Sequence, residues 1–168
     1  MRLLCSIHFQ AILLFFNVKS TLAVLSSNTG TSSYFGGNET DYQALLAFKT
    51  KITKDPGNVL SSWNDSLHLC QWEGVTCGHK HRRVTISNLM SRGLVGSLSP
   101  HMGNLSFVRE IDLSNNTIGG KILDEVGRLF RLQLLALTNN SFQGEIPANL
   151  SHCPNLKYLS VGHNNLSR

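Results

Sequence analysis

Three stretches of the chain align without a gap: VREIDLSNNTIGGKI (108–122), LQLLALTNNSFQGEI (132–146) and LKYLSVGHNNLS (156–167), each beginning 24 residues after the one before. A fixed period of this length marks stacked units, each one turn of a solenoid, rather than a globule with a single closed core. Within the units, the pairs Ile111/Leu113, Leu135/Leu137 and Leu159/Val161 recur at a spacing of two, as on a short strand with one face buried. Those side chains are expected to point into the coil. Asn116, Asn140 and Asn164 follow where the chain must leave the strand, and a short amide there can satisfy turning backbone that no ladder reaches. They are expected to form an internal ladder of amides. Gly96, Gly120 and Gly144 fall at one further equivalent position, where close approach or a positive φ excludes a side chain.

A unit of this size cannot cover its own apolar face, so about three or more must stack. One more period back from Val108 reaches Val84, and Leu89, Leu94, Gly96, Leu98 and Leu105 keep register in that unit. It is the least regular of the four. Ser87 stands at the position of Ile111, Leu135 and Leu159, and Arg92 at that of the turn asparagine, as expected beside a cap.

Upstream, NETDYQALLAFKTKI carries a Thr40/Gln43 capping box followed by Ala44, Leu45, Ala47, Phe48 and Ile52 at helical spacing. The helix is predicted to start near Asp41. Asp55-Pro56-Gly57 breaks it, Leu60–Trp63 offers a second short apolar element, and Cys70 and Cys77 bracket a small loop that suggests a disulfide. Trp63 and Trp72 are placed to lid the otherwise open end of the first coil.

The pattern L-x-x-L-x-L-x-x-N-x-L-x-G-x-I is that of the leucine-rich repeat. With the cap included, the chain resembles the amino-terminal part of a plant leucine-rich-repeat receptor-like kinase ectodomain. The resemblance is carried by DYQALLAFKTKI (41–52), LSSWN (60–64) and CQWEGVTC (70–77) in the cap. In the repeats it is carried by FQGEIPANL (142–150) and, more loosely, by IGGKILDEV (118–126) and LVGSLSPHMGNLSF (94–107). Leu123 stands where such repeats usually have proline. The wording is most similar to the immune-receptor-like group. The resemblance implies an α/β solenoid, a right-handed superhelix with a helical, disulfide-bonded N-terminal cap. It implies extracellular recognition of a peptide or protein ligand, with a co-receptor ectodomain as a further partner.

Residues 1–23, with Arg2 ahead of the apolar run Ala11–Phe16 and small residues near Ala23, outline a secretory signal peptide too short in its apolar core to span a bilayer. Residues 24–38 are expected to be a disordered polar linker, 39–80 the cap, and 81–168 about four repeats, the last incomplete. Seven sequons begin at Asn38, Asn64, Asn104, Asn115, Asn139, Asn149 and Asn165, with the first three the favoured glycosylation sites. A secreted or cell-surface protein follows, with any membrane attachment supplied by a region beyond Arg168. The alternative reading is a truncated, non-catalytic decoy or structural paralogue without a ligand of its own.

Recognition is expected on the strand face, at the outward positions flanking the inward leucines: Asn88, Met90 and Ser91; Glu110, Asp112 and Ser114; Leu134, Ala136 and Thr138; Tyr158, Ser160 and His163. Tyr158 is the aromatic best placed to anchor a partner. The formal charge of +5 is modest and is concentrated in His79–Arg83, read as a solvated loop, so no nucleic-acid partner is expected. No cofactor or metal is expected, and no enzyme activity, a kinase entering only if the chain is a fragment of a longer receptor kinase. Gly119-Gly120-Lys121 lacks the spacing of a phosphate loop, and a disulfide at Cys77 would remove the thiolate that a metal beside His79 and His81 would need. Cys153 occupies an inward repeat position, as a small hydrophobe.

Overall fold

The computed structural model describes residues 38–167; the signal segment and nearly all of the linker read from the sequence lie outside them. The cap consists of helix α1 (Glu39–Lys49), strand β1 (Ile52–Lys54), two short 3₁₀ turns, and strand β2 (Val75–Cys77). Four coils follow. Their first strands are β3 (Val84–Asn88), β5 (Glu110–Asp112), β7 (Leu134–Ala136) and β9 (Tyr158–Ser160). Their second strands are β4 (Val95–Ser97), β6 (Thr117–Gly120), β8 (Ser141–Gly144) and β10 (Asn165–Leu166).

Two five-stranded sheets result, in the orders β2-β3-β5-β7-β9 and β1-β4-β6-β8-β10. Each is parallel among the coils and begins with one antiparallel strand from the cap, β2 on β3 and β1 on β4. The cap therefore closes both sheets at the same end. The 24-residue period sets the register, pairing Ile86, Glu110, Leu134 and Tyr158 in one continuous row.

Ile111, Leu113, Leu135 and Leu137 are buried as their alternation predicts, in one core that runs from Ala44 in α1 to Cys153. Leu159, in the last coil, is 41% exposed because no described coil lies over it. Opposite the first sheet, the 3₁₀ turns Pro100–Asn104, Asp124–Arg128 and Ala148–His152 stack backbone on backbone. A Cβ added at Gly127 would stand 2.3 Å from the Asn149 carbonyl oxygen. Gly96 meets the cap in the same way, 2.3 Å from the Lys51 oxygen, while Gly120 and Gly144 hold φ near 80°.

The asparagine ladder differs from expectation. Asn116, Asn140 and Asn164 bond to backbone, not to one another, and each serves the coil before its own. Asn140 Nδ2 donates to the Leu113 oxygen at 2.9 Å and to the Leu137 oxygen of its own coil at 3.2 Å, while its Oδ1 accepts from Ile118 N at 2.9 Å. Asn116 likewise accepts from Leu94 N at 2.9 Å and Arg92 N at 3.2 Å. This explains why the first coil tolerates Arg92: no repeat precedes it whose turn its own asparagine would have to satisfy. Asn140→Ala would orphan at least two turn groups, so we expect a loss of about 2–3 kcal/mol in urea denaturation. Gln143→Ala, exposed on β8 and outside that turn, is expected to cost less than about 0.5 kcal/mol. Equal losses for the two variants would show that the ladder does not carry the turn.

Two cap features also correct the sequence reading. The helix begins at Glu39, two residues before Asp41, with Asn38 as a cap that makes no side-chain hydrogen bond. The Thr40/Gln43 box is not formed; Gln43 Nε2 donates instead to Glu39 Oε1 at 2.8 Å, one helical turn back. Asp41 lies inside the first turn and is fully buried. It accepts from Arg83 Nε at 2.8 Å, from Arg83 Nη2 at 2.7 Å and from Val84 N at 2.9 Å. Arg83 is thus the rivet between cap and first coil rather than part of a solvated loop. This bond to Asp41 raises the guanidinium pKa above its ordinary value, against the opposing effect of burial.

Trp63 and Trp72 are buried in the same core as Val84, Leu89 and Leu94 of the first coil. They stack at 5.5 Å and 15°, with Phe48 against Trp63 and Tyr42 against Trp72. Tyr42 donates its hydroxyl to Asp65, and that bond, with a smaller contribution from burial, pushes its pKa up to about 12. The disulfide Cys70–Cys77 closes the loop beneath, contributing roughly 2–3 kcal/mol by the chain-entropy argument.

Candidate functional site

The first sheet lines the inner wall of the solenoid, and its outward side chains form rows along the stacking direction, one residue per coil about 4.8 Å apart. Ile86, Glu110, Leu134 and Tyr158 make the first row, and Asn88, Asp112, Ala136 and Ser160 the second. Glu110 and Tyr158 are exposed, Tyr158 at 66%, and Leu134 is half-buried between them. The face therefore reads apolar, acidic, apolar, aromatic along one line. The Asp112 carboxylate is partly committed, accepting from Ser114 N at 2.9 Å, as Asn88 accepts from Met90 N at 3.1 Å. Thr138 and Ser160 share a hydroxyl hydrogen bond of 2.6 Å across adjacent coils.

His163 falls in a different row from the one the sequence assigned it. It aligns with Ser91, Asn115 and Asn139, and all four hold a left-handed backbone with φ between 52° and 57°. The position equivalent to Ser114 and Thr138 is Gly162. Along the left-handed row, Asn139 Nδ2 donates to Asn115 Oδ1 at 3.1 Å, and Asn115 Nδ2 to Ser91 Oγ at 3.2 Å. The side-chain amide ladder expected in the interior is thus found here, at the exposed rim. The Asn-Asn dipeptides carried the signal, since asparagine accepts this backbone conformation better than other residues with side chains.

At the cap end the face runs into a cleft of about 490 Å³ between the β2–β3 hairpin and the first three coils. Its lining includes His79, Lys80 and His81 from the hairpin, Phe107, Arg109 and Glu110 from the second coil's approach, and Arg131 ahead of the third. Phe107, Arg109 and Arg131 were not picked out in the sequence, because only stacking brings positions 24 and 22 residues apart beside the hairpin.

Among the described residues, no cluster of histidine, cysteine and acidic side chains could hold a metal, and no helix is long and apolar enough to cross a membrane. Burial raises the pKa of the Cys153 thiol, against a smaller opposing backbone hydrogen bond. His68 is shifted below its ordinary value by burial and then by the charge of Arg82, and its Nδ1 accepts from Cys70 N at 3.2 Å.

The cap and coils match known families. The leucine rich repeat N-terminal domain family matches residues 38–78, and the leucine rich repeat family matches 107–129 and 131–153. The leucine-rich-repeat ectodomain of the receptor kinase SOBIR1 from Arabidopsis thaliana superposes with a TM-score of 0.63 at 30% identity, over 77% of this chain and 69% of that one. The chain belongs to the leucine-rich-repeat ectodomains of plant receptor kinases.

Among sequence relatives of this ectodomain, the Arabidopsis thaliana receptor-like kinase EFR is 47% identical over 90 residues, 53% of this chain. The receptor kinase-like protein Xa21 of Oryza sativa subsp. japonica is 47% identical over 87 residues, 48% of this chain. The match spans only 9% and 8% of those two proteins. The Arabidopsis receptor kinase HAESA, solved with the peptide hormone IDA and the co-receptor SERK1, gives a TM-score of 0.68 at 33% identity, over 76% of this chain and 22% of that one. The matched region comprises cap and repeats, with no kinase domain.

The seven sequons are spread over this ectodomain. Asn64, Asn115, Asn139 and Asn165 are exposed, and Asn104 and Asn149 half-buried. Asn38 is buried, which a glycan there would have to reverse.

Proposed function

We propose that this chain is an extracellular recognition module that binds a peptide or protein ligand along the exposed face of its first sheet. The observation that carries the proposal is the row Ile86, Glu110, Leu134 and Tyr158, held in register by parallel strands. Its inward neighbours repeat one chemistry, while the outward residues differ from coil to coil on a rigid lattice with strand spacing. Such a surface can read an extended chain residue by residue, and the exposed Tyr158 ring supplies an anchor of the kind that dominates interface energetics. The relative solved with a peptide hormone and a co-receptor supports both partner classes. Export is supported by the Cys70–Cys77 disulfide, which belongs to an oxidising compartment.

The test is capture of ligands from a library of synthetic plant and microbial peptides by the full chain secreted from plant cells. Tyr158→Ala and Leu134→Arg are expected to weaken a captured ligand by about tenfold or more. Arg128→Ala, on the opposite 3₁₀ layer, is expected to leave it unchanged. Wild-type affinity in both sheet variants would remove the face from consideration.

A further inference from the structure

We infer that the cleft between the cap hairpin and the first three coils is a subsite for an acidic side chain of the peptide ligand, held by Arg109 and Arg131. The inference rests on the recognition role proposed above and assigns a ligand chemistry to one end of it. Four cations line the cleft: Lys80, Arg83, Arg109 and Arg131. Arg83 is already neutralised by Asp41 at 2.7 Å, and Glu110 is the one acidic residue in the lining. An excess of two positive charges remains, before either histidine contributes.

The arrangement is built rather than merely charged. The Phe107 ring carries the Arg131 guanidinium 4.0 Å from its centroid and that of Arg83 at 4.7 Å, with His81 against it at 5.6 Å. A guanidinium stacked on an aromatic face keeps its in-plane N–H fork free, so Arg131 is oriented to receive a carboxylate with little further ordering. Arg109, one strand away, makes no hydrogen bond or ion pair with its side chain among the described residues, and nothing competes for its donors. Thr85 and Ile86 continue the cleft onto the sheet, where an apolar residue next to the acid would rest.

Glu110 decides between polyanions and peptides. A polymer with a charge on every unit would have to bring one of them past this carboxylate, whereas a peptide with one or two acidic residues followed by an apolar one would not. Charge complementarity thus favours a short acidic stretch of a peptide.

The experiment measures fluorescence anisotropy of the secreted full chain with a fluorescein-labelled hexapeptide, Gly-Ser-Glu-Glu-Leu-Gly. Its glutamine counterpart and a labelled oligogalacturonate serve as comparators. Tight binding of the acidic peptide over the glutamine form is expected, falling at least tenfold in Arg109→Gln/Arg131→Gln and several-fold in Arg131→Lys, which keeps the charge but loses the fork. Arg128→Gln/Lys157→Gln removes the same charge elsewhere and is expected to change nothing. All the substituted side chains are exposed, and unchanged thermal melts confirm that each variant is folded. The inference is overturned if the glutamine peptide binds equally well, if the control pair weakens binding as much as the arginine pair, or if only the oligogalacturonate depends on the arginines. Ligands captured along the sheet face depend on Tyr158 and this probe on Arg109 and Arg131, so a failure of the cleft and a failure of the sheet face read out separately.

Discussion

Asp41→Ala is expected to destabilise the cap by about 3–5 kcal/mol, the range for removing one partner of a buried ion pair. The carboxylate is fully buried and accepts three hydrogen bonds, two from Arg83 and one from the Val84 amide. Removing it strands a guanidinium that is itself largely covered, and leaves the first strand of the solenoid with an unsatisfied amide where it joins the cap. Asp41→Asn keeps an acceptor for Val84 but not the charge, and is expected to fall between the two. Chemical denaturation of the purified chain measures both. A loss below about 1 kcal/mol for the alanine variant would mean that water replaces the carboxylate at low cost, as at an exposed pair. The result bears on recognition, because Arg83 also stacks on Phe107 and its release would loosen the floor of the cleft.

The ion pair was hidden in the sequence for a definite reason. Its partners lie 42 residues apart, and each has a plausible local reading: Asp41 as the start of a helix, Arg83 as the last residue of a basic loop. The solenoid itself was legible because its constraints recur. Inward leucines, turn asparagines and close-packed glycines repeat every 24 residues, and each copy checks the others. A period locates equivalent positions but does not say what an amide at such a position bonds to. Asn116, Asn140 and Asn164 were accordingly placed correctly while their partners, on the coil before, were not. The outer rows of the sheet followed from the same period, apart from His163, where a glycine in the alignment hid the shift by one. The cleft was illegible because its parts come from a hairpin and two coils, and nothing in the order of the chain joins Phe107 and Arg131 to His81.

Trp63→Ala should match the loss at Asp41, at about 3–5 kcal/mol, the range for truncating a buried aromatic to alanine. Trp63 is buried between Phe48 and Trp72, and its Nε1 donates to the Glu73 oxygen at 2.9 Å. The variant loses apolar burial, opens a cavity against the first coil and orphans a carbonyl. Trp63→Phe refills much of the volume without the donor and is expected to recover about half of the loss. The chain has only two tryptophans, and both lie in the cap, so their fluorescence follows the cap while far-ultraviolet circular dichroism follows all the coils. In the wild type the two signals are expected to change together, since both sheets cross from cap to coils. In Trp63→Ala, residual Trp72 fluorescence is expected to change first, because nearest-neighbour coupling lets a weakened end unit open before the rest of a solenoid. Coincident transitions at a lowered midpoint would instead show that the coils cannot stand without their cap. The cap would then be part of the folding unit that presents the binding face, and not only its cover.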